Sequence, residues 1–354
     1  MKMDDFNVKS ITISQLTLTD GSSNNGFFAT TDVSSHTLSG DLSGFSGGFV
    51  IGDHGYLVPD SSSVMVRFGL SNEDNVATDI SLIDFGDLSG FSGGFSSGQY
   101  GYLVPDTSTT LVRYDAINDD VSKIVLAGDL SGFRGGFASD VSGYLVPFLG
   151  HKVVSFPLTA NSFTSDYVED ISLTDFSGFY GGFSSNNNIF LAPNTHSKLV
   201  KIKEDEFVTT TDYSSIDLSL AKSDPELIGF KGGFAHDNSG YLIPGENGKV
   251  VEFSTSDFSP NNVNVIDFAN LTGDASLVEF SGGFKDETHG YLIPETFNKV
   301  AQFDLATARI ISSLDISVNG KDVSGFSGGF ISGDYGYLIP NKSNELVRFS
   351  TNQN

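Results

Sequence analysis

The chain has 354 residues, 44 of them acidic and 19 basic, for a formal charge of −25, and such a surplus repels phosphate backbones and anionic bilayers alike. Nucleic-acid binding and membrane insertion are therefore not expected, the latter also because no apolar run approaches the ~18 residues of a spanning helix. With no cysteine, disulfides, thiolate metal centres and thiol catalysis are excluded.

Residues 1 to 31 hold one candidate strand, ISQLTL from Ile13, and no continuous apolar leader. They read as an N-terminal extension. From Asp32 the sequence repeats itself: the triplet GGF begins at Gly47, Gly93, Gly135, Gly181, Gly232, Gly282 and Gly328. Each triplet follows a phenylalanine and one variable residue, as in DLSGFSGGF at Asp41 and again at Asp87. An apolar run ending in proline comes next: YLVP at Tyr56, Tyr102 and Tyr144, IFLAP at Ile189, and YLIP at Tyr241, Tyr291 and Tyr337. Runs such as LVRY from Leu111 or VVEF from Val250 follow, and then ISLIDF from Ile80 or ISSLDI from Ile311.

Each unit thus holds four short runs rich in β-branched and aromatic residues, divided by Gly, Pro, Asn, Asp and Ser. We name them strands a, b, c and d. Four antiparallel strands per unit of this length predict an all-β, seven-bladed β-propeller over residues 32 to 350, with a tail at 351 to 354. Glycine suits strand a as the innermost, where neighbouring blades crowd the axis. The seventh unit ends after strand c at Phe349, and DVSSHTLSGDLSGFSGGF from Asp32 aligns without a gap to DVSKIVLAGDLSGFRGGF from Asp120. Val33 to Leu38 is therefore predicted to supply the missing strand d and close the ring.

This order of glycine-rich inner strand, YLVP-like strand b and LVRF-like strand c resembles the repeats of YVTN-type and related bacterial seven-bladed propellers. It resembles kelch repeats more weakly. The resemblance implies fold only, because such propellers include surface-layer proteins, lectins, lactonases and lyases. WD40 and sialidase Asp-box signatures both require tryptophan, which the chain lacks.

GFSGG at Gly44, Gly90 and Gly325 matches a nucleophile-elbow pattern, but it recurs and no helix follows, so Ser46, Ser92 and Ser327 read as repeat punctuation. Strand-d aspartates (Asp84, Asp175, Asp217, Asp267, Asp315) alternate with apolar residues and are expected at the solvent edge. The c-to-d turns NEDN from Asn72, NDD from Asn118 and EDE from Glu204 are acidic enough to consider calcium, although none has EF-hand spacing. No other cofactor is expected. Arg67, Arg113 and Arg348 on strand c read as partners for acidic neighbours, and Asp60, Asp106, Asn194, Glu295 and Asn341 after the strand-b proline as turn residues.

Departure from the repeat is the most informative signal. The residue before GGF is Ser46, Ser92, Ser281 and Ser327 in four units, but Arg134, Tyr180 and Lys231 in three consecutive ones. This position opens the inner strand near one mouth of the axial channel. His151 and His196 follow strand b in the third and fourth units and are expected on the same face. Together these five residues form the candidate ligand site, a local basic and stacking patch for an anionic or sugar-like group. The leading expectation is a non-enzymatic, lectin-like binding propeller for a carbohydrate or protein partner, extracellular or surface-associated. The alternative is a propeller-type hydrolase or lyase with a metal or His/carboxylate site at the same mouth.

Overall fold

Strand b is apolar at consecutive positions because both its faces are covered, and the architecture follows from that. We describe a computed structural model comprising residues 33–38, 42–61, 64–70, 77–86, 89–128, 130–159, 163–173, 176–207, 213–272, 274–307, 309–318 and 320–351. The strand expected at Ile13, the NEDN turn and Asp175 lie outside the described residues. Among those described, seven four-stranded antiparallel sheets form the blades of a β-propeller. In blade 1, strands a to d are Phe45–Ile51, His54–Pro59, Val64–Gly69 and Thr78–Asp84.

Alternate residues of strand b serve the two neighbouring blades. Tyr56 and Val58 pack with Leu103 and Val112 of blade 2, whereas Leu57 joins Tyr337, Ile339 and Leu346 of blade 7. All of these are at most 2% exposed. A strand buried on both faces reads as a continuous apolar run, unlike the alternating pattern of a half-exposed one. The propeller core is thus a ring of inter-blade layers, with tyrosine or phenylalanine stacked on the inner-strand phenylalanine in each, as in Phe95 on Tyr102 at 5.2 Å.

The glycine before each inner-strand phenylalanine joins blade to blade. Gly90 accepts from the Asp106 amide of its own blade at 2.9 Å and donates to the Asp60 carbonyl of the preceding blade at 2.6 Å. Its φ of +76° is one that L side chains rarely adopt. Equivalent bonds run from Gly44 to Asn341, Gly132 to Asp106, Gly178 to Phe148, Gly229 to Asn194 and Gly325 to Glu295. In blade 6 Glu279 replaces the glycine, and Phe280 makes the donation instead, to Gly245 at 2.8 Å. The first glycine of GGF meets the next blade: a Cβ on Gly135 would lie 2.9 Å from the Gly181 Cα.

Val33–Thr37 pairs antiparallel with Glu345–Ser350, Val33 opposite Phe349 and Thr37 opposite Glu345. Blade 7 is therefore completed by the start of the ring, as the sequence predicts. Leu38, 1% exposed, follows into the layer between blades 7 and 1, and its amide donates to the Asn344 carbonyl at 2.8 Å.

Not every edge aspartate is simply solvated. Asp217 accepts from the Leu220 amide at the start of the short helix Leu218–Lys222 and pairs with Lys198 at 2.8 Å. Burial opposes its ionisation, but hydrogen bonds from Lys198, Ser219 and Ser197 hold its carboxyl well below the usual range. Asp267 accepts from Asn270 at 3.0 Å at the short helix Phe268–Thr272. Asp84 and Asp315 are exposed, as expected. The strand-c arginines differ in partner: Arg67 donates to Ser81 and Tyr114, and Arg113 and Arg348 lie over tyrosine rings at 4.5 and 4.2 Å.

Candidate functional site

The b-to-c turns and d-to-a connections share one face, and there the inner strands open into a polar chamber of about 420 Å³. Beneath it the channel is walled by the paired glycines of all seven inner strands. The chamber brings Arg134, Tyr180 and Lys231 together, and with them Asp60, Asp106, Asn194, Glu295 and Asn341, the residues expected to be turn chemistry alone. The turn role is real as well, since the Asn194 and Asn341 side-chain amides donate to the carbonyls of Phe230 and Phe45 in the next blade.

In blade 1 the serine at the variable position bonds one inner strand to the next: Ser46 Oγ donates to the Phe91 carbonyl at 2.7 Å and accepts from the Gly93 amide at 3.0 Å, while Ser281 Oγ donates to the Ile293 carbonyl of its own blade. That occupies the Ser46 hydroxyl structurally, and no helix follows that serine, where a nucleophile elbow requires one. Arg134 and Lys231 reach carboxylates of neighbouring blades instead. Arg134 lies 3.8 Å from Asp106, and its guanidinium stacks 3.9 Å over Phe148 and 6.0 Å from the Tyr180 ring centre. Lys231 donates to Glu295 of blade 6. Burial raises the Tyr180 phenol above its ordinary value, opposed by Lys231 and Arg134.

The patch is therefore not freely basic. Each inner cation is held by a carboxylate from an adjacent blade, and the lining also includes Asp60, Glu246 and Lys342. Two residues that shape this arrangement escaped the sequence reading. Phe148 and Gly245 occupy the post-proline position where the other five blades carry Asp, Asn or Glu. The same departure rule, applied to that position, finds them.

The histidines are elsewhere. His151 is exposed in the b-to-c turn of blade 3 and is not among the chamber residues. His196 packs edge-on against Phe179 at 4.7 Å and against Phe176 at 5.6 Å, while its Nδ1 accepts from the Lys198 amide at 3.0 Å. Burial pushes this imidazole below its ordinary value, so it stays neutral and supports the turn. The acidic turns serve tyrosines: Asp119 accepts from Tyr114 at 2.7 Å and Glu204 from Tyr144 at 3.0 Å. Among the described residues, no three His, Asp or Glu side chains gather as metal ligands would.

Asp106 carries an electrostatic cost. Burial raises its pKa, Arg134 opposes the rise, and Asp60 adds to it. A carboxyl raised above its unfolded value destabilises the fold wherever it is ionised, and that cost vanishes as pH falls below the unfolded value. We expect Asp106→Asn to melt at a higher temperature than the parent at pH 7 and at the same temperature at pH 3. A lower melting point at pH 7 would instead mean that the attraction of Arg134 outweighs the cost of burial.

No family model matches the chain, and no curated protein matches it in sequence. Solved structures do. A streptogramin B lyase superposes with a TM-score of 0.71 at 11% identity, over 92% of this chain and 99% of that one. The WD40 repeats of RRP9 give 0.69 at 11% identity, over 91% and 98%. A chain of the mitotic checkpoint complex gives 0.69 at 8% identity, over 98% and 99%. At such identities the likeness is one of fold, shared by a lyase and by WD40 proteins, and the chain is a seven-bladed β-propeller.

Proposed function

We propose that this chain is a binding propeller that holds a protein partner on the face formed by its b-to-c and d-to-a connections, around the channel mouth. The observation that carries the reading is the coincidence of several departures from sevenfold regularity in one sector. Arg134, Tyr180 and Lys231 lie on blades 3, 4 and 5. The short helices Leu218–Lys222 and Phe268–Thr272 are built into the d-to-a connections that follow blades 4 and 5. Four exposed apolar side chains of that face lie in the same sector: Leu149 at 73%, Leu220 at 76%, Ile228 at 42% and Leu271 at 66%. Arg and Tyr at a partly desolvated centre, with exposed apolar side chains nearby, are residue types enriched in protein-binding interfaces and their hot spots. The opposite face exposes Ile117, Val141 and Tyr167, away from this polar centre.

A second reading, a saccharide in the chamber, is favoured by its density of Ser, Asn and carboxylate groups beside one tyrosine. The alternative, a propeller-type hydrolase or lyase with a metal or His/carboxylate site at the same mouth, would draw on the chamber's carboxylates, since His151 and His196 lie outside its lining. Replacing Arg134, Tyr180 and Lys231 together by serine tests the binding reading. Loss of the partner with an unchanged fold is the expected result, and undiminished binding would overturn it.

A further inference from the structure

The channel mouth opens sideways at the seam between blades 4 and 5. A second cavity, about 630 Å³ and lined in part by Thr195, Pro225, Ile228 and Asn247, shares Asn194, Lys231 and Glu246 with the central chamber. The two form one continuous surface running from the axis to the rim. Gly245 lies against Lys231, one of the shared residues. A Cβ there would lie 2.3 Å from the Gly229 carbonyl oxygen and 3.2 Å from Lys231 Cε, so the missing side chain lets the Lys231 stem lie flat against the backbone.

The wall of this groove is built and held. Asn247 Nδ2 donates to the carbonyls of Glu226 and Ile228 at 2.7 and 2.9 Å, and its Oδ1 accepts from the Lys249 amide at 2.9 Å. Lys249 in turn pairs with Asp224 at 2.8 Å and Glu226 at 2.7 Å. A groove fixed in advance loses little conformational entropy when it is filled. Ile228 stands exposed on that wall.

Charge decides the occupant. Arg134 and Lys231 each face a carboxylate of a neighbouring blade. Glu246, at the junction of the two cavities, is exposed and makes no ion pair among the described residues. The chamber sets Asp60, Asp106, Glu246 and Glu295 against Arg134, Lys231 and Lys342, the groove adds Glu226, and on a chain of charge −25 this balance favours a cation over an anion. The apolar wall at Ile228 and Pro225 suits a polypeptide better than a neutral glycan. We infer that the bound segment is an extended peptide bearing a lysine or arginine side chain. Its cation sits against Glu246, and its backbone runs outward over Ile228 along the blade 4 and 5 seam. This inference rests on the protein-partner reading above.

Three nine-residue fluorescent peptides of one Ser/Gly/Val sequence, with lysine, Nε-acetyl-lysine or glutamate at the centre, test it by anisotropy against the full chain. The lysine peptide should bind at least about tenfold more tightly than the other two, a difference of ~1.4 kcal/mol. Ile228→Trp, which fills the groove from a partly exposed position, and Glu246→Gln should each weaken it about fivefold or more. Glu169→Gln removes the same charge from an exposed strand d and should change nothing. Equal binding of the three peptides, no binding of any, or equal weakening by Glu169→Gln and Glu246→Gln would overturn the inference. The triple serine variant frees the Asp106 and Glu295 carboxylates and should not weaken the lysine peptide, so peptide binding that survives Ile228→Trp overturns the groove assignment alone, whereas undiminished binding of the whole partner by the triple serine variant overturns the mouth reading. Thermal midpoints close to the parent's confirm that each variant is folded.

Discussion

A chain that begins after Leu38 should lose several kcal/mol of stability and self-associate. The truncation removes the five-residue pairing of Val33–Thr37 with Glu345–Ser350 and the side chain of Leu38, which is 1% exposed. Emptying one such leucine site alone costs about 2–5 kcal/mol, and the conservative variant Leu38→Ala should show that part by itself. The truncation adds a second effect. Glu345–Ser350 becomes an unpaired edge, and an open edge of that length invites strand addition from another copy. Urea denaturation should show a lower midpoint, and size-exclusion chromatography should show dimers or larger species. A monomer with the parent's midpoint would mean that the clasp is dispensable and that the inner ring of glycine-mediated bonds suffices.

The triple substitution of Arg134, Tyr180 and Lys231 by serine should separate binding from folding. Serine already occupies the variable position in the other four blades, and the backbone accepts it there, in blade 1 with a bond to the next inner strand. The exchange leaves Asp106 and Glu295 without their cations, but both retain access to water, and partly exposed pairs of this kind contribute about 0–1 kcal/mol. Stability should therefore change by no more than ~2 kcal/mol for the two pairs together. Binding should fall by about a hundredfold or more, because centrally placed Arg and Tyr side chains each carry ~2 kcal/mol or more in protein interfaces. Titration calorimetry with the partner, alongside thermal melts of the variant, reads both quantities.

The fold was readable because its determinants are local and repeated. The proline that ends strand b, the doubled glycine of strand a and the apolar runs between them mark each blade without knowledge of any long-range contact. Ring closure was readable for the same reason: Val33 to Leu38 aligns with a segment that forms strand d in another blade. The site was readable only in part. Repeat phasing gives the face on which a residue lies, but neither its radial depth nor the direction of its side chain. His151 and His196 show the difference, since both follow strand b on the predicted face, yet neither lines the chamber. Pairing across blades was hidden too. Lys231 meets Glu295, 64 residues away, and this contact turns an apparent basic patch into an internally neutralised one. Phe148 and Gly245 carry a legible signal of the same kind, because the residue after the strand-b proline is Asp, Asn or Glu in the other five blades.

The claim that one face and one sector do the binding is tested most directly by cross-linking. A photoactivatable phenylalanine analogue is placed singly at Leu149, Leu220 or Ile228 on the mouth face, or at Ile117, Val141 or Tyr167 on the other, where each native side chain is at least 42% exposed. Illumination in an extract of the source cells should give the same adduct from the first three positions and none from the last three. Adducts confined to Ile117, Val141 and Tyr167 would contradict the account.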